Sequence, residues 1–281
     1  MKCGVVLTGC GSEDGTAVDE AIMTFLALEK AGAEVVSLAL DKDQYEVINH
    51  QTGKPAELEQ KRNQLVESAR LVSGPVNSID TFSWEDLDLL VIPGGKGVLK
   101  SLSTFEDEED HYRVNKSLER LIVNCFNGRK PLGAIGEGVF ILARALENVA
   151  SNLTVTASGN PEDRMTVVEK LAIDHVPCEV GEMCVDKTNR VVTAPLLVRE
   201  DGLVEKNESI ETFVKTQEDL HQHRDMYDRL FEHRPRRQTG SLGYRWDRVL
   251  HRLYHTNAEE LKQALHQAME PALCSPCMCA E

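Results

Sequence analysis

The chain has 281 residues, 41% hydrophobic and 27% charged, a globular composition that excludes a collagen-like, coiled-coil or disordered protein. Its formal net charge of −15 excludes a body that holds nucleic acid or an anionic lipid surface by charge. One main domain with an appendage is expected at this length, and no apolar run approaches the ~18–20 residues of a membrane helix, so neither nucleic acid nor membrane is an expected partner.

In chain order, Val5–Thr8 is a short apolar run followed by a Gly-rich turn, Gly9–Gly15. Ala17–Lys30 then carries Ala21, Ile22, Phe25, Leu26 and Leu28 at helical spacing and ends at Gly32, which suits the left-handed position after a helix. Thr16 and Asp19 stand at capping-box spacing at its start. Ala33–Leu40 reads as the second strand. Leu89–Ile92 is a buried strand ending in Pro93-Gly94-Gly95, Leu118–Phe126 a helix, Leu132–Ile135 a strand, and Val139–Leu146 a helix. Alternation of helices with nearly continuous apolar strands predicts a doubly wound, mainly parallel α/β sheet covered on both faces. Glu182–Val185 and Val191–Ala194 flank a turn-like Asp186–Arg190, a hairpin that should add antiparallel strands at one edge. A helix marked by Ile210, Phe213 and Val214 is expected to close the domain near residue 218.

Beyond that point the composition changes. Residues 221–257 hold eight arginines, no lysine, five histidines and four acids. Met226/Leu230, Trp246/Leu250/Leu253 and Leu261/Leu265/Met269 each space like one helical face, so residues 219–281 are expected to form a helical extension. Arginine without lysine favours planar pairing with carboxylates. Arg224, Arg229, Arg236, Arg237, Arg245, Arg248 and Arg252, with Trp246, are therefore candidate contacts to a protein partner with an acidic surface. This segment could equally pack on the protein's own acidic body. The tail Cys274, Cys277 and Cys279 offers three thiolates where a closed zinc site needs four. No metal is expected, and the cysteines are read as reduced thiols.

The first chemically suggestive feature is the strand–turn–helix at Leu132–Val139, the geometry of a nucleophile elbow beside helix N-terminal amides. The residue at its apex is Gly136, which carries no nucleophile. Glu137 follows in the first helical turn, where the dipole favours its ionised form. Cys10 lies where ligands gather in open α/β sheets, at the end of the first strand. His50 and His175 are sequentially remote and read as packed, hydrogen-bonded histidines. Gly9-x-Gly11 and Pro93–Gly97 complete neither a dinucleotide nor a phosphate loop, so no cofactor is expected.

Several segments together resemble the ElbB-type isoprenoid-biosynthesis glyoxalases, in the PfpI-like branch of the class I glutamine amidotransferase-like superfamily. They are Leu7–Gly11 with Asp14-Gly15, Val47–Gly53, Ile92–Gly95, Lys100–Phe105, Lys130–Gly133 and His175–Cys178. The resemblance covers about residues 2–218. It implies a flavodoxin-like sandwich whose cofactor-free activity on small dicarbonyls uses an elbow cysteine and a glutamate from the helix after strand 1. Where the pattern has that cysteine this chain has Gly136, and where it has that glutamate, just after Asp14-Gly15-Thr16, it has Ala17. The resemblance also implies a homodimer, whose surface the appendage could cover.

The leading expectation is thus a catalytically inactive ElbB-like domain, residues 1–218, used as a structural or interaction subunit of a larger assembly through residues 219–281. Acidic tubulin tails in a cytoskeletal assembly are one candidate partner. The alternatives are a small-carbonyl enzyme whose site has moved to Cys10, Glu137 or His175, and a ligand sensor without chemistry. The amino-terminal residues read directly as a strand, without a signal or transit segment, so a cytoplasmic location is expected, with a mitochondrial one as the alternative.

Overall fold

A computed structural model describes residues 1–56, 61–156, 171, 173–179, 181–195 and 202–223. Met1–Gln222 forms one compact unit. The expectations for Arg224 onward, including every proposed arginine contact, Trp246 and the cysteine tail, lie outside the described residues.

The central sheet has seven strands in the order β10-β11-β7-β6-β1-β2-β5. They are β1 (Lys2–Leu7), β2 (Glu34–Ala39), β5 (Asn77–Ser78), β6 (Leu89–Ile92), β7 (Leu132–Ile135), β10 (Cys184–Asp186) and β11 (Val191–Ala194). All neighbours pair in parallel except β10 with β11. The predicted hairpin is present, but only β10 runs antiparallel, because β11 pairs in parallel with β7 through Val191 to Leu132. Two small sheets, β3 (Ile48–Asn49) with β4 (Lys54–Pro55) and β8 (Thr154–Val155) with β9 (Asp174–His175), lie outside it.

The described helices are α1 (Val18–Lys30), α2 (Gln64–Val72), α3 (Lys96–Leu102), α4 (Phe105–Glu108), α5 (Lys116–Asn127), α6 (Gly138–Leu146) and α7 (Leu203–Gln222). Side chains alternate between the faces of a strand. Val6, Leu38, Leu90, Ile92, Leu132 and Ala134 therefore join the core built with Val98, Leu102, Leu118, Ile122, Phe140 and Ile141 of α3, α5 and α6. The intervening residues face the other way, and there Gly133 lies under Phe213 and Gln217 of α7. This is the doubly wound α/β architecture expected. The closing helix runs four residues past the expected boundary, to Gln222. Gly32 takes the left-handed conformation expected of it, at φ +71°.

The capping box does not form. Ala17 is the N-cap of α1 with no side-chain cap, because the Thr16 hydroxyl is turned inward to accept a hydrogen bond from the Thr8 amide at 2.9 Å.

Asp186 fixes the β10–β11 turn. Buried, it accepts hydrogen bonds from the Thr154 amide (3.0 Å), the Asn189 amide (2.9 Å) and the Asn189 side chain (2.7 Å). Asp186→Ala strands two backbone donors, and it is expected to cost about 2–3 kcal/mol. A urea midpoint equal to that of the unaltered chain would show that these bonds contribute nothing net.

Candidate functional site

The carboxyl ends of β1, β6 and β7 meet where a parallel sheet gathers ligands. Three turns converge there. The β1–α1 loop touches the turn after β6 through the Ala17 amide, which donates to the Gly94 carbonyl at 2.9 Å, and through the Lys96 amide, which donates to the Ser12 carbonyl at 2.7 Å. The turn after β7 is the elbow itself. Gly136 has φ +54°, and its amide donates to the Ala194 carbonyl of β11 at 3.2 Å. A residue with a side chain would be strained at that angle, and the strand-to-helix turn is sharp enough to require it.

Two carboxyl groups fill the space behind the elbow. Glu137 is the residue before α6, yet its side chain does not cap that helix. It reaches across to the turn after β6, where Oε2 accepts a hydrogen bond from the Gly95 amide at 3.0 Å. Glu20, one turn into α1, accepts from the neighbouring Gly94 amide through its own Oε2 at 2.7 Å. A Cβ added at Gly94 would lie 2.7 Å from Glu20 Oε2 and 3.2 Å from Glu137 Oε2. Both side chains are buried, Glu20 at 2% exposure and Glu137 at 3%. Burial pushes the Glu20 carboxyl up to about 8, with Glu137 adding to the rise and the Gly94 amide opposing it. At neutral pH Glu20 therefore keeps its proton.

Glu20 is absent from the sequence-level site, which looked for a carboxylate from this helix at Ala17. Ala17 is buried beside the turn after β6, and the helix supplies its carboxyl one turn later. Ala17, Glu20, Ala21, Thr24 and Leu28 lie on one buried face of α1. A glutamate within such a face is the signal that could have found it.

The fallback residues do not assemble with the elbow. Cys10 is partly buried, beyond Gly9, whose amide donates to the Ser68 hydroxyl at 2.9 Å. Burial raises its thiol above the ordinary value. Arg70 opposes that rise, and Glu67 and Asp14 reinforce it. Such a thiol is protonated at neutral pH and is a poor nucleophile. His50 packs on the β1–α1 loop as expected, with Nδ1 3.1 Å from the Ile48 carbonyl and Nε2 3.7 Å from the buried Asp14 carboxylate. Together with Ser12, Val18, Ile22 and Met23 it lines an open, mostly apolar groove of about 510 Å³. His175 lies on β9, outside the central sheet, and its Nε2 is buried without a hydrogen-bond partner among the described residues, which differs from the satisfied histidine expected. Among the described residues no cluster of three or more His, Cys, Asp or Glu could hold a metal ion. No described helix is long and apolar enough to cross a membrane.

No family model matches the chain. Over 222 residues it is 33% identical to the ES1 protein homolog, mitochondrial, of Rattus norvegicus, covering 76% of this chain and 82% of that protein. Over 210 residues it is 34% identical to the human glutamine amidotransferase-like class 1 domain-containing protein 3, mitochondrial, covering 72% and 76%. Among solved structures it is similar to an isoprenoid biosynthesis protein with an amidotransferase-like domain from Ehrlichia chaffeensis, with a TM-score of 0.72 and 27% identity over 78% of this chain and 99% of that one.

Proposed function

Because the chain belongs to the family of ES1 proteins and glutamine amidotransferase-like class 1 domain proteins, we propose that it is a member without thiol chemistry, working by binding rather than by turnover. The observation that carries this reading is Gly136: the elbow backbone is intact at φ +54°, and no side chain stands at its apex. The described cysteines offer no substitute. Cys3, Cys125 and Cys184 are buried, with thiols raised by burial, and Cys10 and Cys178 are raised as well. A nucleophile and its proton carrier act as a unit, and here only the carboxyl part is in place.

In this reading residues 223–281, after the end of α7, engage a partner with an acidic surface through the arginines named above. The relatives' names support a mitochondrial setting, the alternative location, and lend nothing to a cytoskeletal one.

The test is a methylglyoxal turnover assay on the full chain beside Gly136→Cys. The unaltered chain is expected to show no turnover that iodoacetamide abolishes. With Glu20 already behind the elbow, Gly136→Cys by itself should create such turnover, without a second change at Ala17. It should also cost about 1 kcal/mol of stability for a side chain at positive φ. Thiol-dependent turnover by the unaltered chain that disappears in Cys10→Ser would refute the reading and move the active site to the first turn.

A further inference from the structure

A surface helix ordinarily turns its large apolar residues inward and its polar ones outward. Over much of its length α1 does the reverse. It buries Glu20, Ala21, Thr24, Ala27 and Leu28, while Val18, Ile22 and Leu26 are 41%, 46% and 43% exposed. Spaced four residues apart, these three form one ridge of about 12 Å along the helix. At the start of α7, Leu203 and Val204 are more exposed still, at 64% and 72%, and Leu203 lines the same groove as Val18 and Ile22. The other exposed large apolar residues described, Tyr45, Val66, Val149 and Val176, stand singly on separate segments, as is usual on a protein surface. A contiguous apolar face with a charged rim marks a contact surface.

The rim carries one sign. Lys206 is buried and donates to Asp19 at 2.8 Å, and Lys30 is paired with Glu211. The only lysine of α1 and the only one in the first turns of α7 are thus both taken. Glu29 on α1, with Glu205 and Glu208 on α7, is exposed, and none of the three makes an ion pair among the described residues.

We propose that this face is the docking site of a basic amphipathic helix of a partner protein. Its apolar stripe lies in the groove between the α1 ridge and Leu203, and its lysines or arginines meet Glu29, Glu205 and Glu208. Anchors at i, i+3, i+4 and i+7 of such a helix match a ridge two turns long. The sign of the rim selects the class of partner: a helix with an acidic flank would set like charges against these carboxylates. This is a contact surface on the body of the molecule, in addition to the one proposed after α7.

The probe is a labelled synthetic helical peptide with leucine at i, i+3, i+4 and i+7 and lysine elsewhere, beside the same peptide with glutamate in place of lysine. Fluorescence anisotropy with the full chain should show saturable binding of the lysine peptide that weakens as sodium chloride is raised. The glutamate peptide should bind at least about tenfold more weakly. Ile22→Lys replaces an apolar anchor by a like charge and should lose about tenfold or more in affinity for the lysine peptide. Val66→Lys, an exposed position on α2, should bind as the unaltered chain does. No saturable binding, equal affinity for the two peptides, unchanged binding in Ile22→Lys, or an equal loss in Val66→Lys overturns the proposal. So does a full chain that sediments as a dimer and becomes a monomer in Ile22→Lys, because the face then belongs to a second copy. If Ile22→Lys does not fold, the amide resonances of the unaltered chain decide. Those of α1 and of residues 203–208 should shift on addition of the lysine peptide, and shifts confined to other segments overturn the site. Turnover enters none of these readouts, so the docking site and the non-catalytic reading can fail separately.

Discussion

Gly97→Ala is expected to destabilise the domain by more than about 3 kcal/mol, above the ~1–3 kcal/mol of ordinary overpacking. A Cβ there would lie 2.0 Å from the Gly15 amide nitrogen, 2.1 Å from the Asp14 carbonyl carbon and 2.4 Å from its oxygen. All three are backbone atoms, so no rotamer change relieves the contact. The same packing holds the first turn of α3 against the loop before α1, with the Lys96 amide bonded to the Ser12 carbonyl at 2.7 Å. Forcing them apart would also displace Ala17 from Gly94 and open the carboxyl pair. Gly32→Ala is the control: it has φ +71° and meets nothing within 4 Å, so it should cost only about 1 kcal/mol. Urea unfolding of both variants measures the difference. Equal costs would mean that the α3 turn can retreat without penalty.

Glu20→Gln should raise stability at pH 8 and flatten its pH dependence. The Glu20 carboxyl stands at about 8 in the fold and near the ordinary glutamate value of ~4.3 when unfolded. Between those values the folded chain keeps a proton that the unfolded chain has released. The unfolded state then binds fewer protons, and stability falls as pH rises, by up to about 1.4 kcal/mol per pH unit. The contribution is fully present below the unfolded value and is lost by the folded one, a total on the order of a few kcal/mol. Glutamine can accept from the Gly94 amide and donate toward Glu137 without a proton to lose. Unfolding free energies measured from pH 5 to 8.5 should therefore diverge, with the unaltered chain losing ground at the alkaline end. Parallel curves for the two proteins would place the titrating group elsewhere.

The architecture was legible wherever an element is long or continuously apolar. β1, β6 and β7 are buried along nearly their whole length, and α6 is buried along most of its own. Hydrophobic periodicity reports such burial directly. It missed α2, whose inward positions are Gln64, Glu67, Ser68 and Leu71, because polar inward residues, two of which bond segments remote in sequence through Gly9 and Asp43, leave no apolar stripe. It also missed β3, β5, β8 and β9, each two residues long and too short to show a periodicity; β5, β8 and β9 are held by partners remote in sequence.

The site divides in the same way. Gly136 and its turn could be read from a strand, a glycine and a helix in succession, because an elbow is a local structure. The sequence by itself determined the parallel sheet, the elbow and the absence of a thiol at its apex, since each depends on residue type and short-range spacing. Only the tertiary structure decided that Glu20 and Glu137 meet, that they take the adjacent amides of Gly94 and Gly95, and that Cys10 is not activated. Burial and electrostatic coupling depend on distance through space, and a chain that winds to both sides of a sheet brings together charges that sequence spacing keeps far apart.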